Sequence, residues 1–159
     1  MKIRQAGEKD RQDILRIYAC AHRTMIESGN RSQWMDDYPE CVLDGDIEKK
    51  QIWVCEENGR ICASFVLIIG PDPTYARIEQ GAWLSDALYG TMHRIASDGT
   101  QHGIFPLCMS FCRSQISHMR VDTHEKNQIM RKQIERFGFS QRGIIYVADG
   151  TPRVAYEIL

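Results

Sequence analysis

The sequence lacks any long hydrophobic run, which argues against a helical membrane protein. No apolar stretch approaches the roughly 20 residues that a membrane-spanning helix needs. The first residues, Met1 to Gln5, do not form the apolar segment of a secretory signal. We therefore expect a cytoplasmic protein that has no membrane partner.

An excess of charge of one sign is also lacking. The 20 basic residues are balanced by 21 acidic residues, and the formal net charge is -1. Such a chain has no overall basic field for holding nucleic acid, so we expect no nucleic-acid partner. The length of 159 residues, with 43% hydrophobic and 26% charged residues, predicts one globular domain over residues 1–159.

Closely spaced cysteine pairs are missing as well. The six cysteines include no CxxC pair, and Cys108 and Cys112 would share one face of a helix. Zinc binding by these two with a distant histidine stays open, but no second ligand pair has a suitable spacing. We expect no metal, and reduced cysteines that are mostly buried as small hydrophobic residues.

What the sequence does contain is a regular succession of strand and helix patterns. A first strand precedes an amphipathic helix with Asp10 as its cap, and a short helix is predicted over 42–50. An Asn58-Gly59 hairpin turn leads into strand 61–69, which is apolar enough to be buried on both faces. The remaining predicted elements are strand 88–97, a helix from 104, strand 118–123, helix 127–137, and a hairpin of 144–147 with 154–158.

This order predicts an α/β (α+β) fold. We expect a single mixed, mostly antiparallel sheet of about seven strands with helices on both faces.

The turn between strand 88–97 and the helix that begins near residue 104 is the most informative segment. The first amides of a helix have no partner within it, and the helix dipole favours negative charge at the same point, so a pyrophosphate would satisfy both. Gly103 would let the backbone approach a phosphate closely. Taken alone, the segment could equally be an ordinary tight turn.

Together with its surroundings, this segment resembles the GNAT superfamily of N-acetyltransferases, and the resemblance covers nearly the whole chain. The run Thr100-Gln101-His102-Gly103-Ile104-Phe105 keeps the central glycine of the phosphate motif. Asn127, the helix after it and Phe137-Gly138-Phe139 look like the Asn, helix, Gly-Phe signature. Three further stretches look like a bacterial subgroup: Asp122 to Asn127, Met92 to Ala96, and Asp149 to Arg153.

The resemblance implies a site for acetyl-CoA as the acyl donor. The sheet would splay between strands 88–97 and 118–123, and the pantetheine arm would pair with the first of these strands. The implied donor-binding residues are Ile95, Ala96 and Ser97, then the amides of Gln101, His102, Gly103, Ile104 and Phe105, and finally Asn127. The Phe105 side chain could either crowd the phosphates or point into the core.

The reaction implied by the resemblance is direct attack of a primary amine, of a small molecule or peptide, on the thioester. Such a reaction needs a base, an oxyanion donor and an acid for the thiolate. The superfamily commonly takes this acid from a tyrosine five residues before the Phe of Gly-Phe, and that position here is Ile134. Either another group or water replaces the tyrosine, or catalysis is weak.

Three residues are candidates for the catalytic base. His93 and His124 lie on or at the end of strands beside the proposed splay, and histidine exchanges protons near neutral pH. The resemblance places Glu79 beside the acceptor pocket, where it could act as the base or anchor the amine. Structural histidines and a surface glutamate are the alternatives.

Several other side chains are candidates for substrate binding. Asp122 could orient His124, bind a cationic substrate or cap the following helix. Arg94 and Arg153 could clamp a phosphate or carboxylate, although a solvated surface position is the alternative for Arg153. The acceptor pocket could be lined by Trp34, Tyr38 and Trp83, for which packing in a satellite core is the alternative.

The leading prediction is therefore an acetyl-CoA-dependent N-acetyltransferase. A non-catalytic acyl-CoA-binding regulatory module is the alternative, and an interaction domain without any cofactor is a third interpretation. A homodimer is expected only from the habits of the superfamily.

Overall fold

The computed structural model describes all residues from 1 to 159. The chain forms seven strands and four α-helices in the predicted order. The strands are β1 Lys2–Gln5, β2 Ile52–Glu57, β3 Arg60–Ile69, β4 Gly90–Ser97, β5 Met119–Thr123, β6 Ser140–Tyr146 and β7 Pro152–Ile158. The helices are α1 Arg11–Glu27, α2 Leu43–Glu48, α3 Ile104–Gln115 and α4 Gln128–Phe137.

All seven strands belong to one sheet, with the strand order β1-β2-β3-β4-β5-β7-β6. Only the neighbours β4 and β5 are parallel, and every other pair is antiparallel. The predicted mixed, mostly antiparallel sheet is thereby confirmed. β3 is buried from Ile61 to Leu67, as expected for a strand with side chains covered on both faces.

Helices cover both faces of the sheet. On one face, α3 and α4 enclose the largest buried cluster, which includes Phe65, Met109 and Ile134. On the opposite face, α1 and α2 pack around Ile14 and Leu43. Beyond β4, this second face is covered by the loop segment 73–89, which encloses a smaller cluster. β4 and β5 thus separate two differently covered halves of the second face.

Some predicted details differ from the structure. β6 begins at Ser140 rather than 144, because its pairing with β7 extends to Ser140 opposite Glu157. Asp10 occupies the N-cap position of α1, but its carboxylate makes no capping hydrogen bond to that helix. It binds the Arg4 guanidinium at 2.8 Å and the Gly7 amide at 2.9 Å instead, so it fixes the approach to the helix.

Four of the six cysteines are buried in the core, as predicted: Cys55, Cys62, Cys108 and Cys112. The Sγ atoms of Cys55 and Cys108 lie 3.6 Å apart. No group of three or more His, Cys, Asp or Glu side chains is arranged to hold a metal ion. None of the helices combines the length and the apolar character needed to cross a membrane.

Candidate functional site

β4 and β5 separate after only two residue pairs. They pair at Gly90–Met119 and Thr91–Arg120, although β4 continues to Ser97 and β5 to Thr123. From residue 92 onward, one edge of β4 therefore has no strand partner. This confirms the predicted split in the sheet.

A β-bulge lies on β4 inside the split. Arg94 and Ile95 together face the single residue Phe65 on β3, and Arg94 has a left-handed backbone with φ 51°. After the bulge, the amide of Asp98 donates to β3. Because backbone groups alternate between the two edges of a strand, those of Ile95 and Ser97 point to the open edge.

The separation of the two strands opens a cleft of about 550 Å³ that reaches both faces of the sheet. On the face covered by α3 and α4, its lining is apolar: Ile95, Phe105, Val121, Met130 and Ile134. On the other face the lining is polar and includes Asp72, His93, Asp122 and Arg153, with the loop residues 32–38 as one wall.

The amides at the start of α3 are free. Gly103 is left-handed with φ 70°, and its carbonyl accepts the hydrogen bond of the Leu107 amide at 3.2 Å. The consecutive amides from Gln101 to Phe105 make no hydrogen bond within the protein. A Cβ atom added to Gly103 would meet no atom within 4 Å. The helix start therefore presents five consecutive unpaired amides, the arrangement on which the predicted phosphate site depends.

Two residues near the donor side resolve alternatives left open by the sequence. Phe105 is 3% exposed, and its ring packs edge-on against Phe137 at 6.1 Å, so it points into the core and not at the phosphate site. Asn127 lines the cleft and caps α4, because its Oδ1 accepts from the Met130 amide at 3.1 Å. The predicted capping role of Asp122 is therefore wrong.

Comparison with solved structures decides the family. No sequence model of a protein family matches the chain, and no curated protein sequence matches it. An acetyltransferase of the GNAT family from Streptococcus agalactiae superposes with a TM-score of 0.86 and 30% identity, over 99% of this chain and 94% of that chain. The chain belongs to the GNAT family of acetyltransferases.

More distant structures share the GNAT fold. A GNAT acetyltransferase from Listeria monocytogenes has a TM-score of 0.71 at 19% identity, over 99% of this chain and 94% of that chain. The NatB acetyltransferase complex bound to CoA and MES has a TM-score of 0.64 at 10% identity, over 100% of this chain and 99% of that chain. At such low identity these two matches show the fold alone.

The polar half of the GNAT cleft contains a histidine–carboxylate pair. Nε2 of His93 lies 2.9 Å from Oδ2 of Asp72, and Nδ1 of His93 has no hydrogen-bond partner in the protein. Burial opposes ionisation of Asp72, but hydrogen bonds from His93 and Thr74 outweigh it and lower the pKa of Asp72 to about 2. A charged carboxylate therefore orients the imidazole and leaves one ring nitrogen free.

Tyr75 connects this pair to β5. Its hydroxyl donates to Oδ1 of Asp122 at 2.7 Å, and its ring centroid lies 6.4 Å from that of His93. Burial, and then the charge of Asp122, raise the pKa of Tyr75 well above its ordinary value, so it remains a phenol. Asp122 is thus held by Tyr75, and it does not orient His124.

His124 is placed differently from His93. Its Nδ1 accepts from the Lys126 amide at 3.1 Å, and its Nε2 lies 3.1 Å from Oγ of Ser32. Burial, followed by the nearby charge of Arg153, lowers the pKa of His124 and favours the neutral ring. In that ring Nε2 carries the proton and donates to Ser32. Both nitrogens are engaged, so the geometry does not suit the predicted role of His124 as the base.

Glu79 and Trp83 lie outside the cleft, contrary to expectation. The Glu79 carboxylate pairs with Arg77 and accepts a hydrogen bond from the Tyr146 hydroxyl at 2.9 Å. Nε1 of Trp83 donates to the Tyr75 carbonyl at 2.9 Å, and the Arg120 guanidinium stacks on its ring at 4.1 Å. The polar groups of Glu79 and Trp83 thus make their contacts in and around the loop 73–89, which lies behind the cleft.

The loop aromatics Trp34 and Tyr38 line the cleft, and both also pack in the buried cluster beneath α1 and α2, where Trp34 is 4% exposed. Their ring centroids are 6.4 Å apart in an edge-on arrangement. Arg94 is not a free clamp, because Asp46 accepts from it at 2.7 and 2.9 Å. Arg153 is only 6% exposed, so a solvated surface position is wrong for it.

Sequence reasoning missed Asp72 and Ser32. Asp72 lies in the turn that follows β3, and its partner His93 is 21 residues away. Ser32 lies 92 residues from His124. No periodic pattern connects residues across such separations, so the sequence carried no local signal for either contact.

Proposed function

We propose that this protein is an acetyl-CoA-dependent N-acetyltransferase that acetylates a primary amine of a small molecule or peptide by direct attack. The observation that carries the proposal is the split between β4 and β5, which joins free backbone groups on one side to an oriented histidine on the other. Membership of the GNAT family supports acyl transfer. The NatB complex of the same fold was solved with CoA bound.

The donor side of the cleft fits coenzyme A. The free amides from Gln101 to Phe105 would hold the diphosphate. The open edge of β4 at Ile95 and Ser97 would pair with the amide groups of the pantetheine arm, and Asn127 lies at the same cleft. When bound, acetyl-CoA supplies an activated acetyl group whose thioester carbonyl is open to attack.

On the acceptor side, we assign the base to His93. The attack forms a C–N bond, breaks the C–S bond and leaves one proton to be taken from the amine. In the neutral ring of His93, Nε2 carries the proton because the Asp72 carboxylate can only accept, and Nδ1 then has a lone pair to act as the base. Asp72 also stabilises the imidazolium that forms when Nδ1 takes the proton, which then passes to the thiolate or to solvent.

Ser32 is our candidate for stabilising the leaving thiolate in place of the missing tyrosine. It lines the cleft, and its Oγ accepts from Nε2 of His124. Its own hydroxyl hydrogen is therefore free to be donated into the cleft. A hydrogen bond to a charged acceptor is stronger than one to a neutral acceptor, so it would favour departure of the thiolate.

A non-catalytic acyl-CoA-binding module is the second candidate. The observation that favours it is Ile134, which lies 1% exposed at the cleft where the family commonly has the acidic tyrosine. A module of this kind would bind acetyl-CoA through the same backbone groups without transferring the acetyl group.

Turnover separates the two candidates. The protein is mixed with acetyl-CoA and a panel of primary amines, and thiol release and acetylated amine are both measured. We expect thiol release that depends on the amine, together with a thermal shift caused by acetyl-CoA alone. A thermal shift without turnover of any amine would support the binding module. Absence of both signals would refute both candidates.

A further inference from the structure

Arg153 is a buried arginine whose guanidinium makes no hydrogen bond or ion pair with a carboxylate of the chain. The two arginines that are less than a tenth exposed are Arg120 at 4% and Arg153 at 6%. Nε of Arg120 donates to Oε1 of Glu157 at 3.0 Å. Nη1 of Arg153 donates only to neutral acceptors, the Thr151 hydroxyl at 2.9 Å and the Pro152 carbonyl at 3.0 Å. A mostly buried guanidinium without a paired carboxylate is costly unless its remaining N–H groups reach water or an anion, so a bound anion would complete this site.

The unused part of the guanidinium opens into the cleft. Nε and Nη2 of Arg153 make no hydrogen bond within the protein, yet neither is among the sealed polar atoms that lack a partner. Because Arg153 lines the cleft, we infer that these two nitrogens face it. Two adjacent N–H donors on one planar fork match the two oxygens of a carboxylate.

Strand register places Arg153 on the same face of the sheet as the histidine–carboxylate pair. Asp122 on β5 lies opposite Ala155 on β7, and Arg153 is two residues further along on the same face as Ala155. Such diagonal neighbours are about 7–8 Å apart. Tyr75 connects Asp122 to His93, because its hydroxyl donates to Asp122 and its ring lies beside the imidazole. The polar half of the cleft therefore carries the Arg153 guanidinium and the histidine–carboxylate pair on one face of the sheet.

None of the other ionisable groups near Arg153 pairs with it directly. Burial and Arg153 lower the pKa of His124, which favours its neutral ring. Asp149 is exposed, and its pKa is lowered first by the Thr151 hydroxyl and only weakly by Arg153. Oδ1 of Asp149 accepts from the amide and the hydroxyl of Thr151 at 2.9 and 2.6 Å, so this carboxylate is used within the turn.

We propose that Arg153 binds a carboxylate of the acceptor, so that the acetylated amine belongs to an amino acid or a related amino carboxylate. This inference rests on the proposed function of the same cleft. A carboxylate carries one negative charge, whereas a phosphate dianion would meet stronger repulsion from Asp122 and Asp149, which line the same cleft. The amine of such a substrate would point to His93 while its carboxylate is held at the β6–β7 turn.

The test compares matched acceptors in the wild type and in Arg153→Gln. The acceptors are glycine, β-alanine, aminobutyrate and aminovalerate, each paired with its neutral carboxamide and with the corresponding aminoalkylphosphonate. For the preferred chain length, we expect kcat/KM to favour the carboxylate over its carboxamide by about ten- to a hundredfold, the range of a hydrogen-bonded charge pair. Arg153→Gln should remove this preference and leave the KM for acetyl-CoA unchanged. Arg142→Gln, which alters an exposed guanidinium bonded to the Ala82 carbonyl, is the control.

Binding measured without turnover distinguishes the two proposals. If no amine is acetylated but amino carboxylates stabilise the wild type and not Arg153→Gln, the carboxylate site stands and the transferase function fails. If simple amines and carboxamides are acetylated as efficiently as the carboxylates, the transferase function stands and the Arg153 proposal fails. A preference for the phosphonate, or a raised KM for acetyl-CoA in Arg153→Gln, would also overturn the proposal.

Discussion

The two halves of the cleft are built from different parts of the chain. The donor half presents backbone groups, namely the free amides at the start of α3 and the unpaired edge of β4. The acceptor half presents side chains from separate loops and strands, among them Asp72, His93 and Arg153. Backbone groups stay in place when most side chains are substituted, whereas a single substitution can remove an acceptor side chain. We therefore expect substitutions to separate donor binding from catalysis.

The sharpest test of this comparison is His93→Ala in the acceptor half. We expect kcat to fall by about a hundred- to ten-thousandfold, the usual contribution of a positioned general base. Acetyl-CoA affinity should be unchanged, because His93 lies on the other face of the sheet from the donor lining. Steady-state kinetics and acetyl-CoA titration measure the two effects. His22→Ala on α1 is the control, and an equal loss of kcat and donor affinity would make His93 a structural residue.

The corresponding test of the donor half is Gly103→Glu, with Gly103→Gln as its matched control. Both side chains enter open space and carry the same left-handed backbone strain. Only the glutamate places a negative charge before the diphosphate, and at a few ångströms this costs about 2–4 kcal/mol. We expect the thermal shift caused by acetyl-CoA to disappear in Gly103→Glu and to persist in Gly103→Gln. Equal shifts in the two variants would remove the phosphate site from this helix start.

The difference between backbone groups in the donor half and side chains in the acceptor half also explains what could be predicted from the sequence. The helices and strands follow from hydrophobic periods of 3.6 and 2, and Asn58-Gly59 and Gly138 mark a turn and a helix end. The donor half is backbone at a strand–turn–helix junction, so Gly103 and its sequence neighbours are enough to indicate it. The split between β4 and β5 could be predicted only from the resemblance to the GNAT superfamily.

The acceptor half depends on contacts between distant residues, and these could not be predicted. His93 gains Asp72 only because the connection from β3 to β4 folds back over the sheet. The segment 73–89, which has no periodic pattern, packs on Ala155 of β7, and no local pattern in the sequence marks Arg153 as buried. His124 and His93 look equivalent in the sequence, and only their hydrogen bonds distinguish them.

Ser32→Ala tests a weaker contribution from the acceptor half. We expect kcat to fall by about tenfold, because one hydrogen bond to a charged group is lost and a thiolate is already a stable leaving group. His124→Ala should lower kcat by a similar amount without weakening acetyl-CoA binding. The double variant should be no worse than either single variant if the two residues act as a unit. Ser28→Ala, whose hydroxyl donates to Met25 on the surface, is the control, and additive losses would separate the two residues.

The smallest expected effect concerns stability and comes from Asp72→Asn. The pKa of Asp72 is lowered from 3.8 to about 2 by His93 and Thr74 against the effect of burial. A carboxylate with a lowered folded-state pKa contributes stability that is complete above its unfolded pKa and is lost as the pH falls through the folded pKa. Urea unfolding should therefore show wild type more stable than Asp72→Asn by about 1–2 kcal/mol at pH 5–6. This difference should shrink as the pH falls from about 4 towards 2. The control is Asp86→Asn, at an exposed carboxylate without a hydrogen bond, which should show no such trend. If the difference in unfolding free energy between wild type and Asp72→Asn stays constant with pH, the charge of Asp72 does not stabilise the acceptor half.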